Sequence, residues 1–165
     1  MSGRDKILVL QGQLRKTLQT VSMIEVYYHQ FRKDFPPSEG GRDYDLVILA
    51  DILVDYYTCL ETAFVRIAKH FENELESTRW HKSLLDRMNL EVPGIRKRLL
   101  SDSTYELMGE LMRFRHFKHY YVEREYDRER MRLLETVFLQ SIPLIRMDFE
   151  AFQSFLEELA AKMRT

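Results

Sequence analysis

The first 35 residues carry an apolar pattern that a long helix would place along one side. Apolar side chains recur there at steps of three and four residues or their sum, at Ile7, Leu10, Leu14, Val21, Ile24, Tyr28, Phe31 and Phe35. This spacing follows one face of an α-helix, so it predicts a helix over about residues 4–34. The segment 36–41, Pro-Pro-Ser-Glu-Gly-Gly, ends that helix. A stripe this narrow can pack within its own domain or against a second copy of the chain.

Further helices are predicted downstream. A second helix over about residues 44–72 has a wider apolar arc, so we expect it to lie centrally among its neighbours. A short helix containing Trp80, Leu84, Leu85 and Met88 comes next, followed by a turn at residues 91–95. Ser103 and Glu106 have the spacing of a capping box, which predicts the start of another helix. Its apolar side chains are Leu107, Leu111 and Phe114.

The last helix is predicted from Asp127 to about residue 162. Pro143 lies inside it, and because proline removes a backbone hydrogen bond, we expect a kink or break near Ser141. No segment alternates convincingly enough to be a β-strand. The sequence therefore predicts an all-α fold, an up-and-down helical bundle of four main helices plus a short helical insert. Its length of 165 residues suits a single domain, residues 1–165.

Composition restricts the possible functions. The formal net charge is −1, whereas dedicated nucleic-acid binders are usually basic, so any RNA contact should be local and brief. One cysteine and five histidines show no metal-ligand spacing, so we expect no metal and no cofactor. Cys59 lies in an apolar helical run and is expected to be a buried, inert thiol. Without an apolar signal or a spanning segment, the chain is expected to be cytoplasmic and to have no membrane contact.

Reactive groups are concentrated in residues 112–121, Met-Arg-Phe-Arg-His-Phe-Lys-His-Tyr-Tyr. On a helix Arg115 and His119 share a face, as do His116 and Tyr120, while Arg113 lies three residues before His116. A histidine can move a proton and an arginine can stabilise charge on a reacting phosphate, so this pair could cut RNA without a metal. Alternatively, basic residues ending a helix complement its macrodipole and serve only a structural or dimer contact.

Three acidic residues on the second helix bear on this cluster. Asp51, Asp55 and Glu61 can be solvated residues or ion-pair partners of arginines. Alternatively, Glu61 or Asp55 reaches the Arg/His cluster and orients it.

Several short sequence motifs resemble those of HepT-like proteins of the HEPN superfamily, and they occur in matching order over about residues 45–130. They are residues 55–61 (family D-F-Y-x-x-x-E), 80–88 (W-H-x-x-L-L-x-x-M), 91–96 (I-P-G-V-R), 100–107 (L-S-x-x-T-Y-E-x-L) and 113–117 (R-F-R-H-x). The family word continues R-F-R-H-x-x-R-H-x-Y, and this chain is about one residue shorter. Three residues separate Arg115 from His119, and five separate Arg113 from His119.

The resemblance implies a helical, usually dimeric, metal-independent ribonuclease toxin that cuts RNA, either tRNA or mRNA. It assigns His119 as general base, Arg115 with Arg113 as stabilisers of the phosphorane, and His116 as a helper or structural residue. It also implies a nucleotidyltransferase-fold antitoxin that silences the toxin by AMPylation of Tyr120 or Tyr121. The alternative is a catalytically degenerate HEPN-like helical dimer that acts as a protein-interaction module.

Overall fold

In this computed structural model, the part of the chain that is described forms five helices. The structure describes residues 1–37, 43–72, 80–120 and 125–163, without the side chains of Trp80, His119 and Tyr120. The helices are α1 (Gly3–Asp34), α2 (Tyr44–Phe71), α3 (Trp80–Asn89), α4 (Asp102–Tyr120) and α5 (Arg128–Lys162). The predicted all-α bundle of four main helices and one short helix is confirmed.

Local capping interactions fix where α1 and α5 begin. Ser2 caps α1 in a reciprocal box, since its Oγ accepts from the Asp5 backbone N–H at 3.2 Å and its own N–H donates to Asp5 Oδ2 at 3.0 Å. Asp127 caps α5 by accepting from the Arg130 backbone N–H at 2.8 Å. The predicted start of the last helix is therefore confirmed.

The predicted cap of α4 is wrong by two residues. The helix begins at Asp102, so Ser103 lies inside it, and Ser101 Oγ accepts from the Thr104 backbone N–H at 3.4 Å. The Ser101 backbone N–H is held by Asp148 of α5 at 2.9 Å, a tertiary contact that the local sequence does not reveal. The buried side of α4 is also shifted, because Met108 is buried while Leu107 is only half-buried.

Side chains from all five helices form one hydrophobic core. α2 contacts each of the other four helices, which confirms its predicted central position. Phe138 of α5 lies in edge-to-face contact with Tyr56 and Tyr28, with ring centroids 4.9 and 5.2 Å away. Most of the predicted α1 stripe is buried, but Ile24 is only partly buried and Phe35, just past the helix end, is 49% exposed.

Of the kink or break expected near Ser141, the break does not occur, because α5 continues from Arg128 to Lys162 through Pro143. The proline is exposed, while Ser141 and Ile142 before it and Ile145 after it are buried and hold both halves in the core. Ser141 Oγ donates to the Phe138 carbonyl at 2.7 Å. The same oxygen lies 2.7 Å from the Tyr56 hydroxyl, and because its own proton is already used, Tyr56 is the donor.

The connection between α3 and α4 is a compact turn anchored by a buried arginine. Val92 and Arg96 form an isolated bridge, and Gly94 between them has a φ of 77°, a conformation that favours glycine. The Arg96 side chain is buried, pairs with Glu72 and donates to the carbonyls of Arg87 and Leu90 at 2.8 and 2.9 Å. The predicted turn is confirmed, and the described part of the chain contains no β-strand beyond this bridge.

A buried network of charged groups joins α1, α2 and α5. Arg32 donates from Nε and Nη2 to the two carboxylate oxygens of Glu135 at 2.6 and 2.7 Å. The Tyr28 hydroxyl donates to Glu135 Oε1 at 2.6 Å. Asp45 accepts from Arg32 at 3.1 Å and from Arg128 at 2.9 Å, and its pKa is lowered chiefly by the hydrogen bond from Arg128. These bonds cross-link three helices at one end of the bundle.

Cys59 is a half-buried free thiol whose Sγ donates to the Tyr56 carbonyl at 3.2 Å. Burial raises the pKa of Cys59 to about 12. At pH 8 roughly one thiol in 10⁴ is then ionised, so native protein should react with Ellman's reagent far more slowly than free cysteine. The same protein unfolded in guanidinium should react at the ordinary rate. A fast reaction of the native protein would contradict the inert thiol that the sequence predicts.

Candidate functional site

A single buried carboxylate links the side chains of three helices. Glu61 of α2 is 5% exposed, and its two oxygens have different partners. Oε1 accepts from Arg115 Nη1 of α4 at 2.9 Å, and Oε2 lies 2.8 Å from His81 Nδ1 of α3. One carboxylate therefore holds a guanidinium and an imidazole side by side.

The packing of each helix explains how these groups meet. Glu61 lies between Leu60 and Phe64 on the buried arc of α2. Arg115 follows Phe114, which is 2% exposed, so the core contact of Phe114 sets the rotation of α4 and leaves Arg115 at the rim. The Arg115 side chain is 29% exposed and that of His81 is 39% exposed. Both partners of the buried carboxylate are thus accessible from solvent.

Arg113 does not share this carboxylate. Its exposed side chain pairs with Glu110 one turn earlier, with Nη2 2.6 Å from Oε1. His116 is exposed on the same helix. The structure therefore separates the two arginines of the motif, since only Arg115 reaches a buried partner.

The remaining predicted site residues lie at the end of α4. His119 and Tyr120 occupy its last turn, so the segment from Arg115 to His119 is continuous helix. The side chains of His119 and Tyr120, and all of Tyr121, fall outside the described residues. Their assigned roles stay predictions.

The expectation for the acidic residues of α2 is resolved residue by residue. Glu61 is buried and pairs with Arg115, so it is an arginine partner that reaches the cluster, and its orienting role stays a prediction. Asp51 pairs with Lys118, the lysine of the same motif segment. Asp55 is exposed on α2, and none of the motif side chains that the structure describes is found in contact with it.

Sequence reasoning did not select His81 as a site residue. It lies in a word that resembles the family, Trp-His-x-x-Leu-Leu, and at the start of the short helix. His81 lies 20 residues after Glu61 and on a different helix, so helical periodicity does not predict that the two side chains meet. Only the docking of α3 on α2 brings the imidazole to the carboxylate.

The arrangement suits proton transfer beside an anion. When Nδ1–H of a neutral imidazole donates to a carboxylate, the lone pair lies on Nε2, and the carboxylate stabilises the imidazolium formed when Nε2 takes a proton. A guanidinium has five N–H donors, so Arg115 can bond Glu61 and still contact a phosphate. No cluster of three or more His, Cys, Asp or Glu able to hold a metal lies within the described residues.

Tyr57 lies one turn before Glu61 on α2, and its hydroxyl is buried. Burial raises the pKa of Tyr57, and the charge of Glu61 raises it further. The hydroxyl finds no hydrogen-bond partner in the described part of the chain, so removing it removes no bond seen there.

A Tyr57→Phe variant should therefore lose no more than ~0.5 kcal/mol of unfolding free energy in urea denaturation. Tyr28→Phe is the matched control, because the Tyr28 hydroxyl donates to Glu135 at 2.6 Å. A hydrogen bond to a charged group contributes about 1.5–3 kcal/mol. Equal losses in the two variants would show that the Tyr57 hydroxyl also has a bonded partner.

The class of protein that the described residues define is an all-α helical bundle in which one buried carboxylate contacts an arginine and a histidine of two other helices. Within that class the sequence is specific, since the family model described as "HepT-like protein" matches residues 48–156. The chain belongs to the HepT-like family of the HEPN superfamily. The matched region includes Glu61, His81, Arg115 and His119.

Comparison with the curated proteins gives no match, and comparison with the solved structures gives none either. Among the described residues, no helix has the length and apolar character required to cross a membrane.

Proposed function

We propose that this protein is a metal-independent endoribonuclease, the toxin of a HepT/nucleotidyltransferase-type toxin–antitoxin pair. The observation that carries the proposal is the Glu61–Arg115 ion pair, which holds the motif arginine at the solvent-accessible rim of the bundle. A preorganised guanidinium stabilises the charge that develops on a phosphate during cleavage. Membership of the HepT-like family supports the same chemistry.

In the proposed reaction His119 removes the proton of an RNA 2′-hydroxyl, and the oxygen attacks the neighbouring phosphorus. Arg115 stabilises the phosphorane, assisted by Arg113. The Arg113–Glu110 pair is exposed and therefore weak, so a phosphate can displace the glutamate. His116 is a helper at the same surface. The proton returns to the leaving 5′-oxygen, and one product ends in a 2′,3′-cyclic phosphate.

The protein acts as a homodimer of one-domain chains, residues 1–165, in the cytoplasm. Two copies bring two basic motif segments together, which concentrates positive charge locally although each chain has a net charge of −1. The substrate is tRNA or mRNA. A nucleotidyltransferase-fold antitoxin adds AMP to Tyr120 or Tyr121, and the added bulk and negative charge block the phosphate site.

The direct test incubates purified protein with total RNA or tRNA in excess EDTA. Wild type should cut the RNA and leave 2′,3′-cyclic phosphate ends, and His119→Ala should not. His29→Ala is a matched control, because His29 is exposed on α1 and outside the motif. Cleavage by His119→Ala at the wild-type rate would refute the role of His119. Silence of wild-type protein that carries no AMP would refute the ribonuclease.

A second candidate is a degenerate HEPN-like dimer that serves as a protein-interaction module. The motif that is one residue short favours it, as does Glu61, whose charge already neutralises Arg115. This candidate predicts an RNA-silent protein, with cells tolerating its expression and a nucleotidyltransferase-fold partner still binding it.

A further inference from the structure

We propose that an open cleft between the beginning of α1 and the end of α2 binds a nucleotide, with the phosphate on basic side chains and the base on an apolar wall. The cleft has a volume of about 350 Å³, a size found among small-molecule sites. Side chains from the first three turns of α1 and the last two turns of α2 line it. The inference goes beyond the proposed ribonuclease activity and does not depend on it.

Four basic side chains concentrate positive charge in this cleft. Lys6 lies on the α1 side, and Arg66, Lys69 and His70 lie on the α2 side. Burial lowers the pKa of His70, and the nearby charge of Lys6 lowers it further. None of the described side chains that line the cleft is acidic, and none of the described residues forms an ion pair with Lys6, Arg66 or Lys69. The cleft therefore offers several cations to an anionic ligand.

Helix dipoles explain only part of this basic cluster. Arg66, Lys69 and His70 lie near the end of α2, where cations complement the negative end of the helix dipole. Lys6 lies in the first turn of α1, where its charge faces the positive end of the dipole and is unfavourable. Positions that break a local rule of stability are expected at functional sites. The place of Lys6 therefore favours a bound anion over a structural role.

The other side chains of the cleft indicate what the anion is attached to. Lysine and arginine bind phosphate oxygens through charge-assisted hydrogen bonds. Val9, which is 46% exposed, and Leu10 supply an apolar surface on which a ring can lie. The amide of Gln13 can both donate to and accept from the edge of a base, which an acyl chain cannot use. This combination fits a nucleotide, either free or within an RNA strand.

The cleft is separate from the Glu61–Arg115 ion pair. His70 lies nine residues after Glu61 on α2, which corresponds to about two and a half helical turns. The two side chains therefore point to opposite sides of α2. The cleft lies beside α1, whereas Glu61 contacts His81 of α3 and Arg115 of α4. Binding in the cleft can thus be measured without RNA cleavage.

The test follows the histidine NMR signals of the whole protein during titration with guanosine 5′-monophosphate. We expect saturable shifts of the His70 ring signals, with guanosine and inorganic phosphate each binding about tenfold more weakly or worse, because each lacks half of the contacts. Equal binding of either half, or no shift at His70, would overturn the nucleotide site. Shifts confined to His81 and His116 would place the nucleotide beside Arg115 and would also overturn it.

Lys6→Gln separates a ligand contact from a structural residue. This variant should bind guanosine 5′-monophosphate about tenfold more weakly, because one charge-assisted bond is lost. Its urea midpoint should be unchanged or higher, since the change removes a cation from the first turn of α1. Lys16→Gln is the matched control, because Lys16 is exposed on α1 and does not line the cleft. Equal affinity in Lys6→Gln and Lys16→Gln would contradict the proposal.

A 2′-O-methylated oligonucleotide distinguishes the two sources of the nucleotide. It has no 2′-hydroxyl to attack the phosphate, so a ribonuclease of the proposed kind cannot consume it. Displacement of guanosine 5′-monophosphate from His70 by this strand would assign the cleft to RNA, and lack of displacement would assign it to free nucleotides. Both results support the site. Absence of RNA cleavage by wild type would refute the ribonuclease and leave this binding test unaffected.

Discussion

Arg115→Ala is expected to slow RNA cleavage by about 10²–10³-fold, the effect of losing one preorganised donor to a transition-state anion. The guanidinium is fixed by Glu61 before substrate arrives, so it needs no reorganisation during the reaction. Single-turnover cleavage of a defined RNA in EDTA measures this loss directly. The urea midpoint of the variant must be measured in parallel, because Glu61 is left buried without this partner.

Arg113→Ala is the matched control for Arg115→Ala. Arg113 is exposed and pairs with Glu110 one turn away, a weak surface ion pair, so its loss should slow cleavage much less. Arg115→Lys keeps the charge but loses the planar fork, and it should fall between the two alanine variants. If Arg113→Ala proved the more damaging change, the phosphate-binding role would belong to Arg113 and the Glu61 pair would be structural.

The largest expected effect on stability comes from Glu135→Ala. This change leaves Arg32 without the bidentate partner that it binds at 2.6 and 2.7 Å, and it removes the acceptor of the Tyr28 hydroxyl. Removing one member of a buried ion pair typically costs about 3–5 kcal/mol, because the other charge remains buried. Urea denaturation at pH 7 measures this loss as a lower midpoint with an unchanged slope.

Glu129→Ala, an exposed change in the first turn of the same helix, should stay within about 1 kcal/mol of wild type. The triple variant Tyr28→Phe, Arg32→Met and Glu135→Leu removes the charges that face each other across α1 and α5. It should recover much of the loss, because apolar groups of similar volume can replace a buried pair. If the triple variant were as unstable as Glu135→Ala, the unpaired charge would not be the cause.

Local sequence predicted most helix boundaries well and failed where a tertiary contact intervened. The helices predicted over residues 4–34 and 44–72 differ from α1 and α2 by at most one residue at either end. The period of the apolar residues and the pair Pro36-Pro37 are signals within the local sequence, so they predict these boundaries without tertiary contacts. The cap of α4 was misplaced because Asp148 holds Ser101 from another helix. Of the kink or break predicted near Ser141, the break was wrong, because core packing on both sides of Pro143 keeps α5 continuous.

The sequence by itself determined the all-α class, the family resemblance and the segment that contains Arg115, because these depend on periodicity and on short words along the chain. Only the tertiary structure decided that the buried partner of Arg115 is Glu61, which lies 54 residues earlier in the chain. It also decided that Arg113 pairs with Glu110 instead. The same packing brought His81 to the other oxygen of that carboxylate. The physical reason is that helical period fixes which face of a helix is apolar, whereas the contacts between helices depend on how those faces dock.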